Sequence, residues 1–257
     1  MTTDAAATRA IATAAALDDF EAEQADLESL LRSLDDDDWF LPTPAAGWDV
    51  RDQVAHLADT EEVAMGTATG GERNLNEEAA QHASAEDYTL SGVLKGRAMT
   101  PAEVLDWWTG AARDNRAALR SHDPDERVPW GFGMSLRAFA AARIMEHWAH
   151  GLDIRAAVGR PGIDTDRLVQ VAWISARAVP YGLRFVGVSA PDGRTLRFEL
   201  TGPDCTFGPP DATDAVRGPT GQWCRLAVQR LSLDQAADLT AEGPLAELAL
   251  RHARAFL

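Results

Sequence analysis

At 257 residues with 46% hydrophobic side chains, the chain is long enough for one large domain or two ordinary ones, yet no apolar run nears the roughly 18 residues of a membrane helix. Its 24 basic and 40 acidic side chains leave a formal charge of −16, which repels phosphate backbones and anionic lipid and excludes nucleic acid and membrane surfaces as expected partners. The opening MTTDAAATRAIATAAALDDFEAE carries early acids and no basic stretch, so no export signal is expected, and a cytoplasmic location with Cys205 and Cys224 as free thiols follows.

Asp4 to Leu34 places Ile11, Leu17, Phe20, Leu27, Leu30 and Leu31 at helical spacing. The acid run Asp35 to Asp38 reads as a solvated connection, because Trp39, Phe40 and Leu41 follow at once. Pro42, Pro44 and Gly47 then make a turn. Trp48 to Glu62, WDVRDQVAHLADTEE, begins as a helix should, with Asp49 as N-cap and Asp52 three positions on. Around His56, the residues Asp49, Asp52, Asp59, Thr60 and Val63 fall within about 60° on the helix surface. That histidine reads either as a half-exposed surface group beside acids or as a ligand.

Gly66 to Met99 shows little periodicity and reads as a long loop around a short helix, the kind of segment that serves as a lid or stays disordered. Pro101 to Ser121 is the third helix, with Thr100 as N-cap and Pro101 at its first position. Trp107, Trp108, Ala111 and Leu119 supply its apolar face, a core role in preference to stacking a substrate. Pro129 to Gly133 turns the chain into the most informative stretch, Phe139 to Arg155, FAAARIMEHWAHGLDIR.

This run is a strong helix former with apolar residues on nearly every side, so it should be buried, and its polar side chains then need partners. Glu146 and His150, four apart, project about 40° from one another, while His147 lies about 100° away from Glu146 and is the weaker candidate. The pair is either a self-satisfied hydrogen bond or two ligands of a metal awaiting a third.

Gly159, Pro161 and Gly162 end that helix, and another should run from Asp166 to about Phe185. Thr195 to Pro203 alternates like a half-buried strand, with turns at Gly208 to Pro210 and Gly218 to Gly221. Gln222 to Leu231 reads as helix, Ala237 to Ala241 as a short strand and Pro244 to Phe256 as a last helix. The domain boundary is expected near Gly187.

WDVRDQVAHLADTE, followed about ninety residues later by RIMEHWAHGLDIRAAVG, resembles the mycothiol-dependent maleylpyruvate isomerase family, a branch of the DinB-like metal-binding four-helix bundles. GPTGQWCRLAVQR is similar to the family's second domain, a small sterol-carrier-like α/β module, whereas Gly66 to Met99 resembles nothing in particular. The resemblance implies an α+β chain, with a DinB-like bundle and connecting helix over residues 1–186 and a small sterol-carrier-like α/β domain over 187–257. It also implies that His56, Glu146 and His150 bind a divalent metal, zinc first among the choices, and that mycothiol is the thiol cosubstrate.

Three protein ligands would leave an open position, so the ion could hold a thiol and depress its pKa. Addition of the thiolate to an activated alkene, rotation and elimination would isomerise it; stopping after addition or displacement would make a thiol transferase. A dicarboxylate electrophile would need arginines, and Arg97, Arg143 and Arg225 are the candidates, each of which reads equally as an ion-pair partner. Arg225, Gln229 and Arg230, on one expected helix, could hold the thiol. Asp52, Asp59 and Asp153 are the candidates for accepting the second ring N–H of a ligating histidine. Two other readings stay open. One is a non-catalytic module binding metal and a small ligand, with Trp173, Phe185, Phe198, Phe207 and Trp223 lining an apolar cavity. The other is a metal-dependent hydrolase with Glu146 or an acid near His56 as base, ranked lower because HExxH, GxSxG and a Cys-His pair of recognisable spacing are missing. The expected partners are a small thiol and a small electrophile, with the chain a monomer or a homodimer.

Overall fold

A computed structural model describes residues 2–131 and 133–256. The chain divides into two compact units, Met1–Gly162 and Ile163–Leu257.

In the first unit four long helices pack as a bundle: α1 (Thr2–Leu31), α2 (Val50–Thr69), α5 (Pro101–Ser121) and α6 (Leu136–Ala157). The starts of α2 and α5 are set by reciprocal caps of the expected residues. Asp49 Oδ1 accepts from the Asp52 amide at 2.8 Å while Asp52 accepts from the Asp49 amide, and Thr100 and Glu103 repeat the arrangement. Each such cap satisfies two amides that the helix itself cannot, worth about 1 kcal/mol. Phe20, Leu57, Trp108, Leu119, Phe139, Ile144 and Ile154 are fully buried between the helices. Fully burying each such side chain is worth about 1.5–3 kcal/mol. The acids Asp36–Asp38 open a short 3-10 turn, Asp36–Phe40, in which Trp39 is buried, so the charged connection is anchored by that ring.

The stretch Gly66 to Met99, expected as a loop around a short helix, is mostly helical. It contains the last turn of α2, a five-residue helix α3 (Leu75–Ala79) and a thirteen-residue helix α4 (Ala85–Arg97). Periodicity missed α4 because this helix meets α2 through its backbone rather than through large side chains. A Cβ at Gly96 would collide with that of Ala55, and one at Gly92 would lie 2.7 Å from the Asp59 side chain. Leu90 and Leu94 face outward, 40% and 52% exposed. Before α6, the two-residue strands β1 (Arg127–Val128) and β2 (Met134–Ser135) pair antiparallel around the expected turn, in which Phe132 lies outside the described residues.

The second unit comprises α7 (Leu168–Phe185), β3 (Leu196–Thr201), β4 (Cys205–Phe207), β5 (Asp214–Pro219), α8 (Thr220–Ala227), β6 (Thr240–Glu242) and α9 (Pro244–Arg251). The strands order as β4-β3-β5-β6, with β3 and β5 parallel and the outer pairs antiparallel. The unit boundary therefore precedes α7 instead of following it at residue 187. The apolar face of α7 packs on α8, α9 and β4; Trp223 Nε1 donates to the Ala172 carbonyl at 3.4 Å, and the missing side chain of Gly182 admits the His252 carbonyl. The glycines and proline at 159–162, read only as a helix end, mark the boundary. Strands β4 and β5 were not foreseen, since each is bounded by the Gly and Pro residues that read as turns. Phe198 and Trp223 touch at 4.7 Å within the core, whereas Phe185 is 54% exposed, so the five aromatics do not share one lining. Cys205 and Cys224 are both buried free thiols, and burial raises the pKa of each.

Candidate metal centre

Helix α6 presents two polar stripes offset by three residues, Arg143 with His147 and Glu146 with His150. Both have the four-residue spacing that stacks side chains on one face. Their surroundings differ completely.

His147 is fully buried and has every ring nitrogen occupied. Its Nδ1 lies 2.8 Å from the Arg143 carbonyl, which can only accept, so Nδ1 carries the proton. Nε2 then accepts from Trp108 Nε1–H at 3.3 Å and faces the Gln24 amide at 3.2 Å. Burial drives its pKa down to about 4, against the opposing pull of Glu61, and the ring is neutral at neutral pH. Arg143, 3% exposed, donates through Nε to Glu61 Oε1 at 2.7 Å and through its terminal nitrogen to Thr60 Oγ1 at 3.1 Å. Asn115 Nδ2 completes Glu61 at 2.6 Å on its other oxygen. This network lies in the bundle core with Asn115 Oδ1 its buried atom left without a partner among the described residues, and Arg143 is spent within it.

Glu146 and His150 point instead to His56 on α2. Glu146 Oε2 lies 3.5 Å from His150 Nε2 and 3.8 Å from His56 Nε2. One donor atom from each of the three side chains falls within 4.8 Å of the others, the only such His/Cys/Asp/Glu group among the described residues. Tetrahedral bonds of about 2.0–2.1 Å would set neighbouring ligand atoms about 3.3 Å apart, so the two imidazoles and the carboxylate fit a divalent ion after a small contraction. The side chains are 12%, 26% and 12% exposed for His56, Glu146 and His150, which keeps an approach from solvent. Burial would raise the Glu146 carboxyl, but hydrogen bonds from His150 and His56 and the nearby Arg143 charge outweigh it and hold the pKa well below the usual range.

Two residues of this centre escaped the sequence reading. Trp48, just ahead of the α2 cap, stacks its ring nearly parallel to His150, 15° between planes at 6.2 Å, and touches His56 at 5.3 Å. Gln53 Oε1 sits on His150 Nδ1, and Gln53 Nε2 donates to Thr43 Oγ1 at 2.8 Å. The available signal for Gln53 was its place three residues before His56, on the same side of α2.

Two of the three aspartates expected to support the histidines are engaged elsewhere. Asp52 caps α2 and accepts from Arg97 at 2.6 Å, and Asp59 pairs with Arg73 at 3.0 Å; Asp153 is buried, 3% exposed. Arg97 also donates to the Gly47 carbonyl at 2.8 Å, tying the end of α4 to the loop that carries Trp48. In the second unit Arg225 grips Asp164 with two nitrogens at 2.7 and 2.6 Å. Gln229 donates to the Leu226 and Ala253 carbonyls, and Arg230 donates to the Val228 carbonyl. Each of the arginines read as a substrate contact thus has a carboxylate partner within its own unit.

Comparison with known proteins points to one family. A sequence profile described as the mycothiol maleylpyruvate isomerase N-terminal domain matches residues 20–155. Two uncharacterized proteins of Mycobacterium tuberculosis, from different strains, are each 35% identical over 243 residues, 93% of this chain and 93% of their own. Crystal structures of a mycothiol-dependent maleylpyruvate isomerase and of a point mutant superpose with a TM-score of 0.57 at 16% and 15% identity, covering 91% of this chain and 95% of theirs. At that identity the likeness is one of fold.

Proposed function

The chain belongs to the mycothiol maleylpyruvate isomerase family through its N-terminal domain, and on that premise we propose that it is a metal-dependent enzyme activating a low-molecular-weight thiol. His56 Nε2, Glu146 Oε2 and His150 Nε2 hold a divalent ion, zinc first among the candidates, in this reading. The observation that carries it is the convergence of these three atoms from α2 and α6 at a mostly buried position that solvent still reaches. Glu146, kept ionised by its two histidines, offsets one of the ion's charges. With three protein ligands, a bound divalent ion keeps a position open and lowers the pKa of a thiol placed there into the neutral range. Mycothiol is the thiol to which the matched family points. The proposed reaction is addition of the thiolate to one carbon of a small activated alkene while a proton goes to its neighbour, rotation about the new single bond, and loss of that proton and the thiolate. Stopping after addition yields a thiol transferase. Trp48 closes one side of the centre and holds the plane of the His150 ring, a role the chain supplies whatever the electrophile.

Elemental analysis of protein prepared without chelator or polyhistidine tag tests the ligand set. One divalent ion per chain is expected, and its loss in His56→Ala and His150→Ala. Metal content unchanged in both variants would sink the site. Replacing the ion with cobalt and adding mycothiol should then produce a sulfur-to-cobalt charge-transfer band in the near ultraviolet; no band at saturating thiol rejects thiol activation.

A further inference from the structure

We infer that residues 73–97 form a strap fastened to α2 at both ends by arginines, and that release of this strap governs exchange at the metal centre. The second half rests on the metal reading above; the first stands on packing and charge alone. Arg97, at the end of α4, pairs with Asp52 through Nε at 3.0 Å and through a terminal nitrogen at 2.6 Å. Arg73, ahead of α3, reaches Asp59 at 3.0 Å and also pairs with Glu62 on α2 and Glu78 in α3. Asp52 and Asp59 lie on the side of α2 that carries His56. Both are buried, 1% and 6% exposed, so each needs its cation. Between the two fastenings the fit is made by missing side chains. Gly96 rests on Ala55 and Gly92 on the Asp59 side chain, and the Arg73 carbonyl sits where Gly66 has no Cβ. The contacts at 52, 55 and 59 bracket His56 along the helix.

Such an attachment is made to come undone. In α3 and α4 only Gly92, Val93 and Gly96 are buried, so little apolar area holds the strap down. Its ion pairs are within reach of salt, since the side chains of Arg73 and Arg97 are 33% and 39% exposed. The Tyr88 hydroxyl is buried under the closed strap without a hydrogen-bond partner among the described residues, a cost that opening removes. Lifting the strap returns Asp52 and Asp59 to water together with their arginines, so no charge is stranded; Glu61 and Arg143, locked between helices of the bundle, have no such way out. Once off α2, helices of five and thirteen residues are too short to persist. A segment held in this manner opens ahead of the rest of its domain. The link to the metal centre is Arg97, which donates to the Gly47 carbonyl at 2.8 Å; the next residue, Trp48, lies against the rings of His56 and His150. Release of Arg97 frees that loop, and with it the indole that closes one side of the centre. Arg73 and Arg97 are positioning residues; neither is a ligand.

The test uses the full chain, reading amide hydrogen exchange of the metal-free protein by mass spectrometry and cobalt release to excess chelator by absorbance. Raising sodium chloride from about 0.05 to about 1 M shortens the screening length to about 3 Å. Residues 74–97 of the parent should then exchange about 10-fold faster, while α5 and α6 keep their protection. Arg73→Gln and Arg97→Gln should do the same at low salt, and cobalt should leave each variant about 10-fold faster than the parent at unchanged stoichiometry. Arg73→Lys, which keeps the charge but loses the fork, should fall between. Exchange in 74–97 that ignores salt and both glutamine substitutions, or that rises only together with α5 and α6, would overturn the strap. Faster exchange with cobalt release unchanged would remove its hold on the metal centre. A chain that takes up no cobalt while 74–97 still responds to salt would instead sink the metal reading and keep the strap.

Discussion

The two polar stripes of α6 use the same residue spacing and the same kinds of side chain, yet one is closed and the other open. Arg143 and His147 face Glu61, Thr60, Trp108 and Gln24, and their donors and acceptors are matched inside the bundle. Glu146 and His150 meet a second histidine, so two imidazoles and a carboxylate, three groups able to donate an electron pair, converge within 4.8 Å of one another. A histidine four residues from a charged partner is therefore uninformative by itself. What separates a structural pair from a ligand set is whether the protein completes the hydrogen bonds or leaves convergent lone pairs for something else.

Breaking the closed stripe should cost the most. Arg143→Met leaves the Glu61 carboxylate buried without its cation and should lower the unfolding free energy of the metal-free protein by about 3–5 kcal/mol, read by urea denaturation. Glu61→Leu combined with Arg143→Met should recover most of that loss, because no lone charge remains; a double variant as unstable as the single one would show that the pair does more than neutralise itself. The open stripe should contribute through occupancy. Chelating the metal should lower the melting temperature by the equivalent of about 2.7 kcal/mol if the ion was present at a hundredfold over its dissociation constant, and His56→Gln protein should not respond. A smaller effect belongs to Trp108→Phe, which removes one donor to His147 and should cost about 1 kcal/mol without changing metal content. Least of all, His56→Gln should shift the stability of the metal-free protein by less than about 1 kcal/mol. A larger loss there would make His56 a core residue and erase the contrast between the stripes.

Much of this was legible before any coordinates. Helices α1, α2, α5 and α6 announced themselves by apolar spacing and by the residues that cap α2 and α5, and the triad followed once two motifs were set against a family. The supporting residues were not legible, for a physical reason. Gln53 meets His150 and Thr43 through contacts that only the folded chain brings together, and a glutamine on a buried helix face has no compositional signature. The roles of Arg97, Arg143 and Arg225 were equally open, since an arginine's partner is a matter of which carboxylate the fold brings near. Helix α4 was lost because glycine reads as punctuation, and the boundary before α7 because its breaker looked like any helix end.

The close approach of α4 to α2 at Gly96 and Ala55 has a consequence for how relatives of this chain can diverge. The space between the two helices there holds one methyl group and no more. Position 55 can grow only if the helices part, and parting them would pull Arg97, one residue beyond Gly96, away from Asp52 and from the Gly47 carbonyl beside Trp48. Substitutions at 55 and 96 should therefore be found in step among related sequences, their combined volume held near that of an alanine, even though neither residue supplies a ligand.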